Sequence, residues 1–259
     1  RPVPESMDAG LAGPGVDVRP WFRLTDLEQA PNAYGMCPTY PFKTIVPAAI
    51  SDAQVRKDMP ELRDAEVVAY VQGIGRRLVA KASGPTYPYA FAVVNNREVN
   101  AFALPGGPIW MMRGVFQTAT NESQVAGVLA HEVAHVAQRH AASKLTQATL
   151  ANWGLDLLGA VLGNTAGAGA AQMAAGLLTS GVFLKFSRDD ETEADLVGME
   201  LAARAGYNPE SGVSLWQKMA AANKNAPPQW LSTHPTGENR IKQIELNLPR
   251  VMPLYRAAN

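Results

Sequence analysis

Residues 121–140 read NESQVAGVLAHEVAHVAQRH, and within them His131-Glu132-Val133-Ala134-His135 governs the reading of everything else. On an α-helix, residues four apart stand almost above one another. His131 and His135 therefore share a face, one turn apart, where both imidazoles reach a single ion. Glu132 lies about a quarter-turn round, close enough to touch a water on that ion. This is the H-E-x-x-H arrangement, a zinc site with the glutamate as general base. An amphipathic helix with two polar-face histidines spells the same five letters, so the rest of the chain has to separate the two readings. The helix start is a local matter: Asn121 is the cap, Gln124 stands at capping-box distance, and Val125, Val128 and Leu129 supply a buried side. His140 is nine residues beyond His131, on the opposite side of a continuous helix. It is given a surface or core role, not a ligand's.

A catalytic zinc usually takes three protein ligands and a water. Downstream, Glu191-Thr192-Glu193-Ala194-Asp195 places Glu191 and Asp195 one helical turn apart on a shared face, with Glu193 on the far side. Glu191 then fits a ligand, and Asp195 fits a carboxylate that holds a bound imidazole from behind. The same letters fit a solvated acidic helix start, which the helix dipole favours anyway. Ser187 caps this helix and Gly206 follows its end near Ala205.

The surrounding pattern is α+β and mainly helical. Residues 1–60 carry Pro2, Pro4, Pro14, Pro20, Pro31, Pro38, Pro41, Pro47 and Pro60, and read as a largely extended or irregular arm. Trp21, Phe22, Tyr34, Tyr40 and Phe42 imply that this arm packs on the main body, residues 61–259. A helix is expected from Glu61 to about Ala82. Three short strands follow, Tyr89–Val94, Val99–Ala103 and Pro108–Met112, with turns at Asn95-Asn96 and Pro105-Gly106-Gly107. They predict a small, mostly antiparallel sheet against which the two helices with the H-E-x-x-H and E-x-x-x-D motifs pack. Later helices are expected from Asn208-Pro209 to about Asn223, and from Gly237 to Leu246.

Composition excludes several classes. Lys plus Arg and Asp plus Glu both number 23, so no basic footprint for nucleic acid or anionic lipid exists. The single cysteine, Cys37, allows neither an internal disulfide nor a cysteine zinc finger. Arg1 and the lack of an apolar leader are read as a targeting segment lying outside a soluble chain. Residues 157–184 carry no charge and are long enough for a span. Their glycines and polar residues instead suggest two helical pieces, broken near Gly163–Gly169; association with a membrane surface through residues 157–184 is a separate expectation.

HEVAH followed some fifty residues later by SRDDETEADLVG resembles the gluzincin metallopeptidases of the HtpX and CAAX-prenyl-protease family, chiefly its soluble BepA-like and LoiP-like envelope members. NAFALPGGPIWMMRGV resembles the family's edge-strand segment, and STHPTGENRI its H-P…R segment. The likeness covers about residues 60–250. It departs from BepA-like proteins in carrying no helical-repeat domain, and from HtpX in showing no clear transmembrane helix. It implies one zinc per chain, held by His131, His135 and Glu191, with Asp195 behind the ligands and Glu132 as the base. It further implies that His234 and Arg240 stabilise the oxyanion and that Asn100, Ala101 and Phe102 lie beside the substrate. From spacing alone, Arg240 equally fits a surface arginine. The expected activity is endopeptidase cleavage of extended, unfolded or misfolded segments, in the bacterial periplasm or cell envelope, as protein quality control. The competing expectation is a chaperone-like polypeptide-binding module with a structural or latent zinc. His234, between the Pro227-Pro228 break and Pro235, is expected on a loop from which its imidazole could also reach the zinc and close the site at rest.

Overall fold

The computed structural model describes residues 52–144, 186–221, 234 and 238–259. Within these, the chain order is α1 (Asp52–Asp58), α2 (Ala65–Val79), β1 (Ala90–Val94), β2 (Ala101–Ala103), β3 (Pro108–Met112), α3 (Gly114–Thr118), α4 (Glu122–Ala137), α5 (Arg188–Arg204), α6 (Pro209–Ala221) and α7 (Glu238–Ala258). The expected α+β, mainly helical class is what forms. Residues 1–51, 145–185 and most of 222–237 lie outside the described residues, and with them the N-terminal arm up to residue 51 and the uncharged segment 157–184.

The end of the arm is helical rather than extended. No proline falls between Pro47 and Pro60, so nothing there forbids the hydrogen bonds of α1. Val55 packs with Ala92, Val94, Phe102, Trp110 and Met112 on one face of the sheet. The next helix starts at Ala65, not Glu61, because Asp64 caps it by accepting from the Glu66 and Val67 amides at 3.0 and 3.2 Å. Glu61 instead bridges to Val94, and the Leu62 amide donates to the Val93 carbonyl.

The sheet order is β1-β3-β2, with β1 parallel and β2 antiparallel to β3. One parallel and one antiparallel pairing replace the mostly antiparallel arrangement that the turns suggested. The cause is the connection after β1. Residues 95–100 do not turn back beside β1 but cross the end of β3: the Arg113 amide donates to Val94, Gly114 to Asn96 and Met112 to Asn100. Only the Leu104–Gly107 turn makes a hairpin. Alternation gives the sheet two buried faces. Phe91, Val93, Ala101, Ile109 and Met111 join the main core with α2 and α4. Ala92, Val94, Phe102, Trp110 and Met112 face α1.

α4 is buried on nearly every side, gripped by α2, α5, α6 and β2. Its closest neighbour is α5, and Gly198 sets that distance. A Cβ there would stand 3.0 Å from the His131 amide nitrogen and 3.1 Å from the Ala130 carbonyl carbon and the His131 Cα. Only a residue without a side chain lets the two helices approach this far beside the first histidine.

The last helix runs twelve residues beyond the expected Leu246, through Pro249 and Pro253. Each proline removes a helical donor, at a cost of about 3 kcal/mol in a helix interior. Both lie on the exposed side, where water meets the freed carbonyls, while Ile244, Val251 and Ala258 bury the other side. α7 packs on α5 and α6, which carries Arg240 to the core.

Candidate metal centre

α4 begins as its sequence requires. Asn121 accepts from the Gln124 amide at 3.0 Å, while the Gln124 side chain accepts from the Thr120 amide at 2.7 Å, a variant of the capping box shifted by one residue. α5 starts with a complete capping box, in which Ser187 and Asp190 each accept the other's amide. These two starts set the rotation of each helix. The side chains they present to each other are His131, Glu132 and His135 from α4, and Glu191 and Asp195 from α5, all buried.

His234 completes the group. The Nε2 atoms of His131 and His135 are 3.0 Å apart, and His131 Nε2 is 3.3 Å from His234 Nδ1. Glu191 Oε1 lies 2.9 Å from His234 Nδ1 and 3.5 Å from His135 Nε2, and its Oε2 is 3.5 Å from His131 Nε2. One donor atom from each of the four residues falls within 4.8 Å of all the others. A tetrahedral zinc with bonds of 2.0–2.1 Å separates its ligand atoms by about 3.3 Å. The spacing and the chemistry of the set therefore fit one zinc-sized cation.

Glu132 supplies a second indication. It is fully buried, and neither of its carboxylate oxygens meets a hydrogen-bond donor among the described residues. The His234 Nε2 nitrogen is 3.6 Å from Glu132 Oε1. A buried carboxylate without donors is costly unless something else offsets its charge, and a cation held at the four-donor centre would do so. Burial raises the Glu132 pKa above the ordinary carboxylate value, against the pull of His234 and His131.

Charges behind the donor cluster are matched. His131 Nδ1 is 3.0 Å from Asp195 Oδ1. Burial alone would lower the His131 pKa, but its contacts with Asp195 and Glu191 raise it to about 9 without metal. Burial pushes His135 well below the usual imidazole value. For Glu191 burial acts upward, yet hydrogen bonds from His131, His135 and His234 hold it far below the carboxylate range. Asp195 is likewise held down, because the Arg240 charge and hydrogen bonds outweigh its burial.

Arg240 sits behind the carboxylates and not on an open face. Its Nε and Nη2 both donate to Asp195, the latter at 2.8 Å, and Nη1 lies 2.7 Å from Glu191 Oε2. Its guanidinium also stacks 4.7 Å from the Trp216 ring. A fork so occupied holds the Glu191 and Asp195 carboxylates in place. The oxyanion role expected for Arg240 gains no support from this geometry. Asn100, Ala101 and Phe102 lie at and within edge strand β2, against which α4 packs. Phe102 stacks on Trp110 with centroids 6.4 Å apart.

His140 takes the core role expected for it but not the expected side of the helix. It is not across the helix from His131 and His135. α4 ends at Ala137, and Arg139 turns the chain with φ 61°. His140 is thereby buried with its Nδ1 2.9 Å from His135 Nδ1 and its Nε2 3.3 Å from Glu193 Oε2. Extrapolating one helix over nine residues missed this break, which no glycine or proline marks.

A mainly helical fold that gathers an H-E-x-x-H pair and a glutamate from a second helix into one buried cluster is that of the gluzincin metallopeptidases. Comparison with known proteins gives the family directly: the model for peptidase family M48 matches residues 66–247, and the chain belongs to that family. It is 32% identical over 209 residues to the beta-barrel assembly-enhancing protease of Escherichia coli, covering 78% of this chain and 43% of that protein. The Yersinia pestis protein of the same name is 33% identical over 208 residues, 77% of this chain and 43% of that one. The mitochondrial metalloendopeptidase OMA1 of Schizosaccharomyces pombe is 35% identical over 189 residues, 70% of this chain and 52% of that protein. The chain thus spans about half the length of these relatives.

Proposed function

We propose that the chain is a zinc-dependent endopeptidase that cleaves extended or unfolded protein segments. The observation that carries this reading is the four-donor cluster with the Glu132 carboxylate beside it, which meets no donor among the described residues. His131, His135 and Glu191 would hold one zinc, which supplies a Lewis acid and water of lowered pKa. Glu132 accepts the proton of the attacking water and passes it to the departing amine. Asp195 accepts from His131 Nδ1, which leaves the Nε2 lone pair toward the centre. Arg240 positions Asp195 and Glu191 and balances their charge.

His234 has two roles in this reading. Its Nδ1 lies with the other three donors, so at rest it would serve as a fourth ligand and close the site. When the ring withdraws to admit substrate, it remains near enough to stabilise the oxyanion. The substrate backbone adds to the outer edge of β2 along Asn100, Ala101 and Phe102, which positions a bond with little demand on side chains. That suits quality control of unfolded or misfolded proteins in a bacterial periplasm or cell envelope, where a beta-barrel assembly-enhancing protease is a relative. OMA1 relatives are mitochondrial. Among the described residues no helix is long and apolar enough to cross a membrane, and association with a membrane surface would run through residues 157–184.

The purified chain should cleave a permanently unfolded protein substrate, lose that activity to a chelator and regain it with zinc. Chelator-resistant cleavage would discard the metal, and no cleavage in any state would discard the enzyme. The closed four-donor set favours a second reading, a polypeptide-binding module with a latent or structural zinc. Such a module would bind unfolded chains equally well with Glu132 replaced.

A further inference from the structure

We propose that His140 and Glu193 form a hydrogen-bond relay that fixes the tautomer and ring orientation of His135, making them positioning residues for the metal site. The proposal rests on the metal-site reading above and adds to it two residues which that reading does not use.

The argument is one of proton placement. His135 presents Nε2 to the donor cluster, 3.0 Å from His131 Nε2. A ligating nitrogen must offer a lone pair, so a neutral His135 carries its proton on Nδ1. That nitrogen faces His140 Nδ1 at 2.9 Å, hydrogen-bond distance for a single shared proton. His135 Nδ1–H therefore donates, and His140 Nδ1 must accept with its lone pair. A neutral His140 is then protonated on Nε2, and that N–H points at Glu193 Oε2, 3.3 Å away. The carboxylate has no proton to give and can only accept. Each link dictates the next: Glu193 selects the Nε2–H tautomer of His140, which selects the Nδ1–H tautomer of His135, which turns its Nε2 lone pair toward the metal.

The two ligand histidines are thus supported differently. His131 meets a buried carboxylate directly, Asp195. His135 reaches a half-exposed carboxylate through an interposed ring. The surroundings hold that ring in place. Phe186 stacks on His135 with centroids 4.0 Å apart, and His140 packs edge-on to His135 at 4.9 Å. His140 is buried, so water does not compete for its Nδ1. The αL turn at Arg139 is what delivers it there.

Partners behind a metal-bound histidine typically change metal affinity by about 10 to 100-fold when removed. The test measures zinc affinity of the whole chain by competition with a chromophoric chelator, for wild type, His140→Leu, His140→Asn and Glu193→Ala. Leu keeps much of the imidazole's volume but offers no acceptor. Asn is smaller yet puts an amide oxygen near the place of Nδ1. The relay predicts that His140→Leu weakens zinc binding by about 10 to 100-fold. His140→Asn should recover most of that loss, and Glu193→Ala should lose a few-fold. If His140 merely fills space, Leu will bind zinc as tightly as Asn or more tightly, and the proposal falls.

Nitrogen-detected NMR of the zinc-loaded wild type needs no variant and guards against misfolding. His140 should appear as the Nε2–H tautomer, with His135 protonated at Nδ1. A His140 protonated at Nδ1 would overturn the relay even with zinc in place. A wild type that binds no zinc would instead sink the metal site on which the relay rests.

Discussion

Arg240→Met removes a buried cation and leaves its surroundings nearly filled. In the wild type the guanidinium serves two carboxylates, with two hydrogen bonds to Asp195 and one contact to Glu191 Oε2, and it stacks on Trp216. Arg240, Asp195 and Glu191 are at most 6% exposed, so water replaces almost none of this. Breaking a buried ion pair by deleting one partner costs about 3 to 5 kcal/mol, chiefly because the other charge stays buried alone. For a domain of this size that is a fall in melting temperature on the order of 10 °C. The loss should be largest in the metal-free protein, since a bound dication partly replaces the missing charge. Asp195 also gives the effect a pH signature. Its pKa is depressed in the folded wild type, so the stability it contributes is present above the ordinary carboxylate pKa and lost as pH falls through the folded value. That acid-side loss should shrink in Arg240→Met. Denaturant titrations of metal-free and zinc-loaded protein across pH measure all of this. Unchanged metal-free stability together with a fall in kcat alone would refute the reasoning and return Arg240 to the oxyanion.

The other predictions concern the ligands and the helix contact. Glu191→Ala should abolish stoichiometric zinc, whereas Glu193→Ala should lower its affinity only a few-fold; equal losses in metal analysis would show that the wrong carboxylate was chosen. Asp195 and Glu191 push the His131 pKa up to about 9 without metal, so zinc binding should displace a proton from it at neutral pH, and affinity should rise with pH by at most about tenfold per unit from this group. A chelator competition giving the same affinity at pH 6.5 and 8.5 would contradict that. Gly198→Val would press its branches on the backbone of Ala130 and His131, costing about 1 to 3 kcal/mol and weakening zinc binding together with stability. A variant that loses stability while binding zinc normally would show that the α4–α5 spacing does not set the ligand geometry.

What the sequence makes legible here is what is encoded locally. The caps of α4 and α5 depend on side chains within three residues of the helix start, so Asn121 and Ser187 locate both helices. Once those starts are known, a period of 3.6 residues puts His131 with His135, and Glu191 with Asp195. The strand order is non-local: nothing within residues 95–100 says that they cross β3 instead of turning back. The C-terminal extent of α7 was hidden by Pro249 and Pro253, tolerated only because that side of the helix faces water. His140 was lost to the αL residue Arg139, since arginine carries no signal for that conformation. The direction of Arg240 depends on α7 docking against α5 and α6, which spacing does not encode.

Glu132→Gln separates proton transfer from metal binding. The change preserves size and leaves His131, His135 and Glu191 untouched, but an amide cannot take a proton from water at neutral pH. Zinc content and cleavage of an unfolded protein should be measured on the same sample. The account predicts one zinc per chain, as in wild type, with cleavage reduced by about 100-fold or more. Full cleavage by a zinc-loaded Glu132→Gln protein would contradict it.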